Sequence, residues 1–231
     1  MKTIGLIGGM SWESTVTYYK IINETVQKDL GGYNSAKIIL NSVNFSEIEA
    51  CQSQGNWEKA GNILTQAAVS LEKAGADFIV IASNTMHKVV PMIQPHISLP
   101  ILHIAKATLM ALKKEKDIKM VGLMATKYTL TQDFYKNILT DAGIEVVIPR
   151  EEEIELVNNI IYKELCLGKI KDASRGIYQR IIDGLDMSGA QGIIFGCAEI
   201  GLLISQKYVR LPVFDTTVIH ATIAAKEAMK D

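Results

Sequence analysis

With 231 residues, 48% of them hydrophobic and 21% charged, the chain has the material for one large core or two small ones and the composition of an ordinary globular protein. Its 24 basic and 25 acidic residues leave a formal net charge of −1 without a basic cluster, which argues against nucleic acid or an anionic membrane as a partner. The three cysteines, Cys51, Cys166 and Cys197, lack paired metal-ligand spacing. No apolar run approaches the ~18 residues of a membrane span, and the opening residues lack a signal-peptide pattern, so a reducing cytoplasm is expected.

Lys2 to Gly8 reads as a first buried strand. Gly8-Gly9-Met10-Ser11 then makes a tight turn, with Ser11 placed to cap a helix through Tyr18, Tyr19 and Ile22. The glycine pair lets backbone approach a small ligand, yet it lacks the spacing of a dinucleotide loop or of a nucleotide P-loop. Ala36 to Val43 is a second strand, and Asn44 to Ile48 leads into a helix carrying Cys51 and Gln52. Trp57 to Lys73 has the period of an amphipathic helix with Ile63, Ala67 and Leu71 on one face. Phe78 to His87 reads Phe-Ile-Val-Ile-Ala-Ser-Asn-Thr-Met-His, a strand-length apolar run that ends at Ser83. A loop punctuated by Pro91, Pro95 and Pro100 follows, then a strand ending at His103 and a helix from Ala105 to Leu112. His87 and His103 read as buried, hydrogen-bonded side chains. The charged stretch Lys113 to Lys119 reads as a solvated crossing into the second half.

Lys119 to Ala125 opens that half, with Thr126 to Thr129 at its first turn, a helix from Phe134 to Ala142 ended by Gly143, and a strand from Glu145 to Ile148. Helices are expected over Ile154 to Leu167 and Ala173 to Leu185. Gly192 to Gly201 then reads Gly-Ile-Ile-Phe-Gly-Cys-Ala-Glu-Ile-Gly, a short buried strand with Cys197 at its carboxyl end and a helix start at Ala198-Glu199. Leu211 to Phe214 is the last strand and Thr217 to Met229 the last helix, expected to swap back onto the first half because it mirrors the helix after His103.

The two halves repeat one pattern. Ser83 takes the place of Cys197, and Gly5 to Ser83 spans 78 residues where Gly122 to Cys197 spans 75. Leu99-Pro100-Ile101-Leu102-His103 is answered by Leu211-Pro212-Val213-Phe214-Asp215. The expected architecture is α/β: two pseudo-symmetric Rossmann-like domains, each a four-stranded, mainly parallel sheet flanked by helices. The first would comprise 1–115 plus 217–231 and the second 116–216, with the active site in the cleft between them.

Ligands of open α/β sheets sit at the carboxyl ends of the strands. Cys197 there is either a small core hydrophobe or a thiolate favoured by the free N–H groups of the following helix. If the copies face each other about a pseudo-two-fold, Ser83 and Cys197 meet across one cleft, two acid/base groups on opposite sides of a substrate carbon. No metal-ligand cluster, cofactor loop or evident Schiff-base lysine accompanies them, which suggests cofactor-free proton transfer.

The stretch Ile-Gly-Leu-Ile-Gly-Gly-Met-Ser-Trp-Glu-Ser-Thr, the run Ser83-Asn84-Thr85-Met86-His87 and the run Gly196-Cys197-Ala198-Glu199-Ile200 together resemble the aspartate/glutamate racemase family over essentially the whole chain. The resemblance implies two similar domains, no cofactor, a homodimer, and a cysteine in each half, one removing the α-proton and the other delivering one. Here Ser83 stands where cysteine is usual and Ala198 where threonine is usual. A serine hydroxyl needs a neighbouring base to ionise, so Cys197 would be the sole strong base and turnover would favour the L-amino acid as starting material. By the same resemblance Met10, Gln52, Asn84 and Thr85 hold the substrate, an acidic amino acid, together with the backbone amides of Ala198 and Glu199. A basic residue usual before the glycine matching Gly168 is Leu167 here, with Lys163 and Lys169 as possible substitutes. Besides racemisation of aspartate or glutamate, the residues leave open a one-cysteine relative, either a decarboxylase or a dicarboxylate isomerase, and a catalytically silent binder of a small dicarboxylate or amino acid.

Overall fold

A computed structural model describes residues 1–115 and 117–230; Lys116, in the charged stretch where the halves were expected to meet, and Asp231 lie outside the described residues. The chain forms two compact units, Met1–Ile104 with His220–Asp231, and Ala105–Ile219.

The first unit holds β1 (Ile4–Gly8), α1 (Trp12–Leu30), β2 (Ile38–Ser42), α2 (Phe45–Ser53), α3 (Trp57–Lys73), β3 (Phe78–Ile81), α4 (Val90–Ile93) and β4 (Ile101–Leu102). Its sheet is wholly parallel in the order β2-β1-β3-β4. The inner strands β1 and β3 are buried along their whole length, which is why they read as unbroken apolar runs. One face packs on α3 through Ala60, Leu64, Ala68 and Leu71. The other packs on Tyr18, Ile22 and Val26 of α1 and on Ala221, Ala224, Ala225 and Ala228 near the end of the chain. Side chains of α1 and α3 reach helical register through polar caps: Ser11 Oγ accepts from the Ser14 amide, and Asn56 Oδ1 accepts from the Lys59 amide at 3.1 Å.

The second unit holds β5 (Met120–Ala125), α6 (Lys127–Thr131), α7 (Asp133–Thr140), β6 (Glu145–Val147), α8 (Glu151–Lys163), α9 (Asp172–Met187), β7 (Ile193–Gly196), α10 (Ile200–Leu203) and β8 (Val213–Asp215). Its strand order, β6-β5-β7-β8, repeats the first sheet position for position, again all parallel. The helix after β4, α5 (Ile104–Leu112), falls almost wholly in this unit, where Thr108 accepts a hydrogen bond from the Tyr135 hydroxyl at 3.1 Å. The last helix, α11 (Thr216–Ala228), begins in the second unit and gives its length from His220 onward to the first.

The repeat extends to packing detail. Gly5 of β1 lies opposite Ile79 of β3, and Gly122 of β5 lies opposite Ile193 of β7. A Cβ at Gly5 would stand 2.8 Å from Ile79 Cδ1, and one at Gly122 would stand 2.8 Å from Ile193 Cδ1. Each glycine makes room for the isoleucine at the matching place.

Three segments differ from the sequence reading. The proline-marked stretch expected as loop forms consecutive short helices, a 3₁₀ turn over Thr85–Val89, α4, and a 3₁₀ turn over Gln94–His96, because Pro91 and Pro95 sit in first-turn positions that need no N–H donor. The turn after β5 winds into α6. The helix expected over Ile154 to Leu167 begins at Glu151, stops at Lys163 and continues as a 3₁₀ turn closed by Gly168 in the left-handed region.

Candidate active site

In the first unit the predicted residues cluster at the carboxyl edge of neighbouring strands. β1 delivers Gly8, Gly9 and Met10, and β3 delivers Ser83, Asn84 and Thr85. The Ala82 amide donates to the Ile7 carbonyl, so the two turns leave the sheet side by side. The glycine pair is required by packing: Gly9 has φ +87, its amide donates to Thr15 Oγ1 at 2.8 Å, and the Val43 amide donates to the Gly8 carbonyl. Met10, Gln52, Ser83, Asn84 and Thr85 are all buried. Gln52 Nε2 donates to Met86 Sδ at 3.2 Å, tying the end of α2 to the turn that carries Ser83. Ser83 Oγ accepts from the Met86 amide at 3.4 Å.

His87 fixes that turn from beneath. The Ile104 amide donates to its Nε2 at 3.1 Å, so Nδ1 carries the proton and donates to the Ser83 carbonyl at 2.6 Å. Beside it, the Tyr18 hydroxyl donates to His220 Nδ1 at 2.9 Å, and His220 Nε2–H donates to the Leu102 carbonyl at 2.8 Å. Both rings are neutral. Burial, reinforced by His103 and His220, holds His87 well below the ordinary histidine range, and burial brings His220 down to about 4. His103 stacks edge-on against His87 with ring centroids 4.7 Å apart.

A histidine whose folded pKa lies below its unfolded value leaves folding unpenalised above about pH 6.5 and destabilises the fold as the pH falls toward about 4. For His220 this amounts to about 3 kcal/mol lost across that window, and His87 acts in the same direction. Urea midpoints measured from pH 7.5 to pH 4.5 are expected to fall accordingly, with a shallower slope in His220→Gln. A wild-type midpoint unchanged across the window would refute the neutral-ring assignment.

In the second unit Cys197 follows β7 directly and is buried, 6% exposed, on the core cluster that includes Tyr178 and Ile200, with Tyr162 and Cys166 packed against it. Its Sγ–H donates to Glu199 Oε2 at 2.9 Å, and Glu199 is itself only 3% exposed. The helix expected at Ala198-Glu199 begins one residue later, at Ile200, and has four residues. So short a helix offers little dipole. Burial, then the Glu199 carboxylate, then Cys166 push the Cys197 thiol well above the ordinary cysteine range, while the Glu199 amide pulls weakly the other way. Of the two readings of Cys197, a small core residue or a thiolate, its burial and its Sγ–H bond to Glu199 favour the protonated thiol. Burial, and after it Cys197, also raise the phenols of Tyr162 and Tyr178. Ala198 is buried as well. Lys163 and Lys169, the candidate substitutes for a basic residue at exposed Leu167, are themselves exposed.

Sequence reasoning assigned Glu199 only a backbone role and passed over His220 and Tyr18. A carboxylate two residues beyond a strand-end cysteine, and a lone histidine in the alanine-rich helix α11, were the signals available.

Each parallel α/β unit carries buried reactive or polar side chains at its strand carboxyl ends, Ser83 to Thr85 in the first and Cys197 with Glu199 in the second, the edge at which enzymes of this architecture bind small substrates. The chain belongs to the Asp/Glu/hydantoin racemase family, which it matches over residues 7–224. It is 24% identical to the broad specificity amino-acid racemase RacX of Bacillus subtilis (strain 168), over 94% of each chain. Among solved structures, an Asp/Glu racemase candidate from Yersinia pestis is 52% identical with a TM-score of 0.90, and an aspartate racemase homologue from Pyrococcus horikoshii OT3 is 37% identical with a TM-score of 0.84, each alignment covering 100% of both chains. Among the described residues no helix is long and apolar enough to cross a membrane.

Proposed function

We propose that the chain racemises an acidic amino acid, aspartate or glutamate, by removing and re-adding the α-proton without a cofactor. Cys197 takes the proton from the L-enantiomer and Ser83 serves the opposite side of the same carbon. Met10, Gln52, Asn84 and Thr85 hold the substrate, with the amides of Ala198 and Glu199. The observation that carries this reading is the buried strand-end thiol of Cys197 hydrogen-bonded to a carboxylate, in a member of a racemase family. Relatives named as an aspartate racemase homologue and as a broad specificity amino-acid racemase support the substrate class.

The chemistry divides between the two residues by acidity. A thiol, once ionised, is a competent base toward an α-carbon, whereas a serine hydroxyl is too weak an acid to supply one unaided. Ser83 instead donates its proton, or orders a water that does, and recovers it from solvent. Incubation of both enantiomers of aspartate, glutamate and a small amino-acid panel in deuterated water, followed by NMR and chiral chromatography, tests the reading. Exchange of the α-hydrogen is expected with at least one acidic amino acid; no exchange with any of them would defeat the assignment.

Ser83 in place of a second thiol favours one other reading, a one-cysteine decarboxylase or dicarboxylate isomerase. Release of carbon dioxide from a malonate derivative, without exchange of any amino acid, would select it.

A further inference from the structure

We infer that His87 is a positioning residue for Ser83, its ring holding the Ser83 carbonyl so that the hydroxyl stays aimed at the substrate. This role rests on the proposed racemase reading, in which Ser83 serves one side of the α-carbon, and adds to it the residue that keeps Ser83 in place.

The need for the ring comes from the turn itself. Were the chain after β3 an α-helix, the amide of residue 87 would donate to the carbonyl of residue 83. Thr85–Val89 winds instead as a 3₁₀ turn, in which the His87 amide donates to the Asn84 carbonyl at 3.1 Å. The Ser83 carbonyl thereby loses its helical donor, and the ring of the same residue supplies another: Nδ1–H donates to it at 2.6 Å, from a side chain that is buried. The Ser83 amide donates to the Ile81 carbonyl at 2.8 Å, and Ser83 Oγ accepts from the Met86 amide over a long 3.4 Å. Accepting there leaves the hydroxyl its proton to give.

The ring is held in turn. The Ile104 amide donates to its Nε2 at 3.1 Å, which makes Nδ1 the protonated nitrogen. Ile104 is the last residue before the chain enters the second unit. The rings of His103 and His220 lie 4.7 and 5.7 Å from that of His87, centroid to centroid. A second proton on His87 would set Nε2–H against the Ile104 N–H, and burial together with these two rings disfavours it. One neutral ring in one tautomer therefore joins the Ser83 carbonyl to the backbone beyond β4, and the bonds at its two ends fix its orientation.

The two ring nitrogens can be tested apart. Asparagine places an amide N–H near the position of Nδ1, whereas glutamine reaches to the position of Nε2, so His87→Asn keeps the bond to the Ser83 carbonyl and His87→Gln keeps only the one to Ile104. In His87→Gln, inversion and α-hydrogen exchange from the D-form are expected to fall about tenfold at saturating substrate, while exchange from the L-form, which Cys197 carries, stays within about twofold. Saturation confines any displacement of Asn84 or Thr85 to KM. His87→Asn is expected to recover most of the inversion. A merely structural histidine would lower exchange from both enantiomers together and would not distinguish the two amides. A second arm needs no turnover and reads the thiol that Ser83→Cys introduces. Its iodoacetamide alkylation, followed by peptide mapping so that Cys51, Cys166 and Cys197 do not contribute, is expected to rise about fivefold when His87→Gln is added and to change little with His87→Asn, because a released turn opens the buried side chain to solvent. Far-UV circular dichroism establishes folding. Should His87→Gln not fold, His87→Asn decides: inversion near the wild-type rate upholds the role, and exchange from both enantiomers lowered together overturns it. Equal effects of the two amides, or a loss on the D-side matched on the L-side, would overturn it as well. If the wild type exchanges no amino acid at all, the racemase reading fails by itself, and the alkylation arm alone upholds or overturns the hold of His87 on residue 83.

Discussion

Replacing Cys197 with alanine is expected to lower α-hydrogen exchange about 10³-fold or more while leaving amino-acid binding in place. Removal of a positioned general base costs about 10²–10⁴ in rate, and 10³ corresponds to about 4 kcal/mol of lost transition-state stabilisation. Glu199 remains in the variant, but the sulfur is what the proposed chemistry places against the α-carbon. The side chain is small and buried, so its truncation leaves little cavity and the fold is expected to survive at a cost of about 1 kcal/mol. Cys197→Ser is the sharper control. It keeps a donor to the Glu199 carboxylate and nearly the same volume, but replaces a thiol by a hydroxyl whose ionisation lies far higher. It is expected to be as inactive as alanine and more stable. Ligand-induced thermal shifts measure binding in each variant independently of turnover. Exchange persisting in Cys197→Ala would remove Cys197 from the reaction, and binding persisting without turnover in the wild type itself would identify a silent binder.

The fold was legible where burial imposes a pattern. β3 and β7 are buried on both faces, which forces an unbroken apolar run, and the close approach of Gly5 to Ile79 and of Gly122 to Ile193 left glycines at matched positions in each half. The helix α3 was readable from end to end because its buried face follows the helical period. The segment from Val90 to His96 was not, since a proline in a first helical turn and a proline in a loop have the same local sequence; only packing on α3 tells them apart. The site divides in the same way. Strand-end positions for Ser83 and Cys197 follow from where the apolar runs stop. The contact of Cys197 with Glu199 does not, because residues two apart in an irregular turn have no fixed mutual direction. Nor does the state of the thiol: the sequence offered a helix amino-terminus, but α10 has four residues and burial outweighs it. His220 reaches the turn region of Leu102 from more than a hundred residues away, which no local pattern encodes.

Substituting Ser83 by cysteine is expected to raise racemisation about 100-fold in both directions, while exchange from the L-enantiomer changes little. Equality of direction is a thermodynamic requirement. The two enantiomers have the same free energy in water, so kcat/KM for L to D and for D to L must be equal in any variant. A bias toward the L-enantiomer can therefore not reside in kcat/KM for the full reaction. It must show as exchange without inversion: in the wild type Cys197 removes the α-proton of the L-form and returns a solvent-derived one to the same side more often than the weak acid at Ser83 protonates the other. Deuterium should then accumulate in L-substrate well ahead of the appearance of D-product, and the D-form should exchange slowly because it meets a hydroxyl rather than a thiol. With cysteine at position 83 the second side gains a group ionising near pH 8.5, so protonation there becomes competitive with return. The change is nearly isosteric and gives up only the long 3.4 Å bond from the Met86 amide, so the turn held by His87 is expected to stand. Chiral chromatography and NMR on the same time course separate the two rates. If inversion already keeps pace with exchange in the wild type, or if Ser83→Cys speeds neither direction, Ser83 is not the limiting partner and the opposite proton comes from another donor.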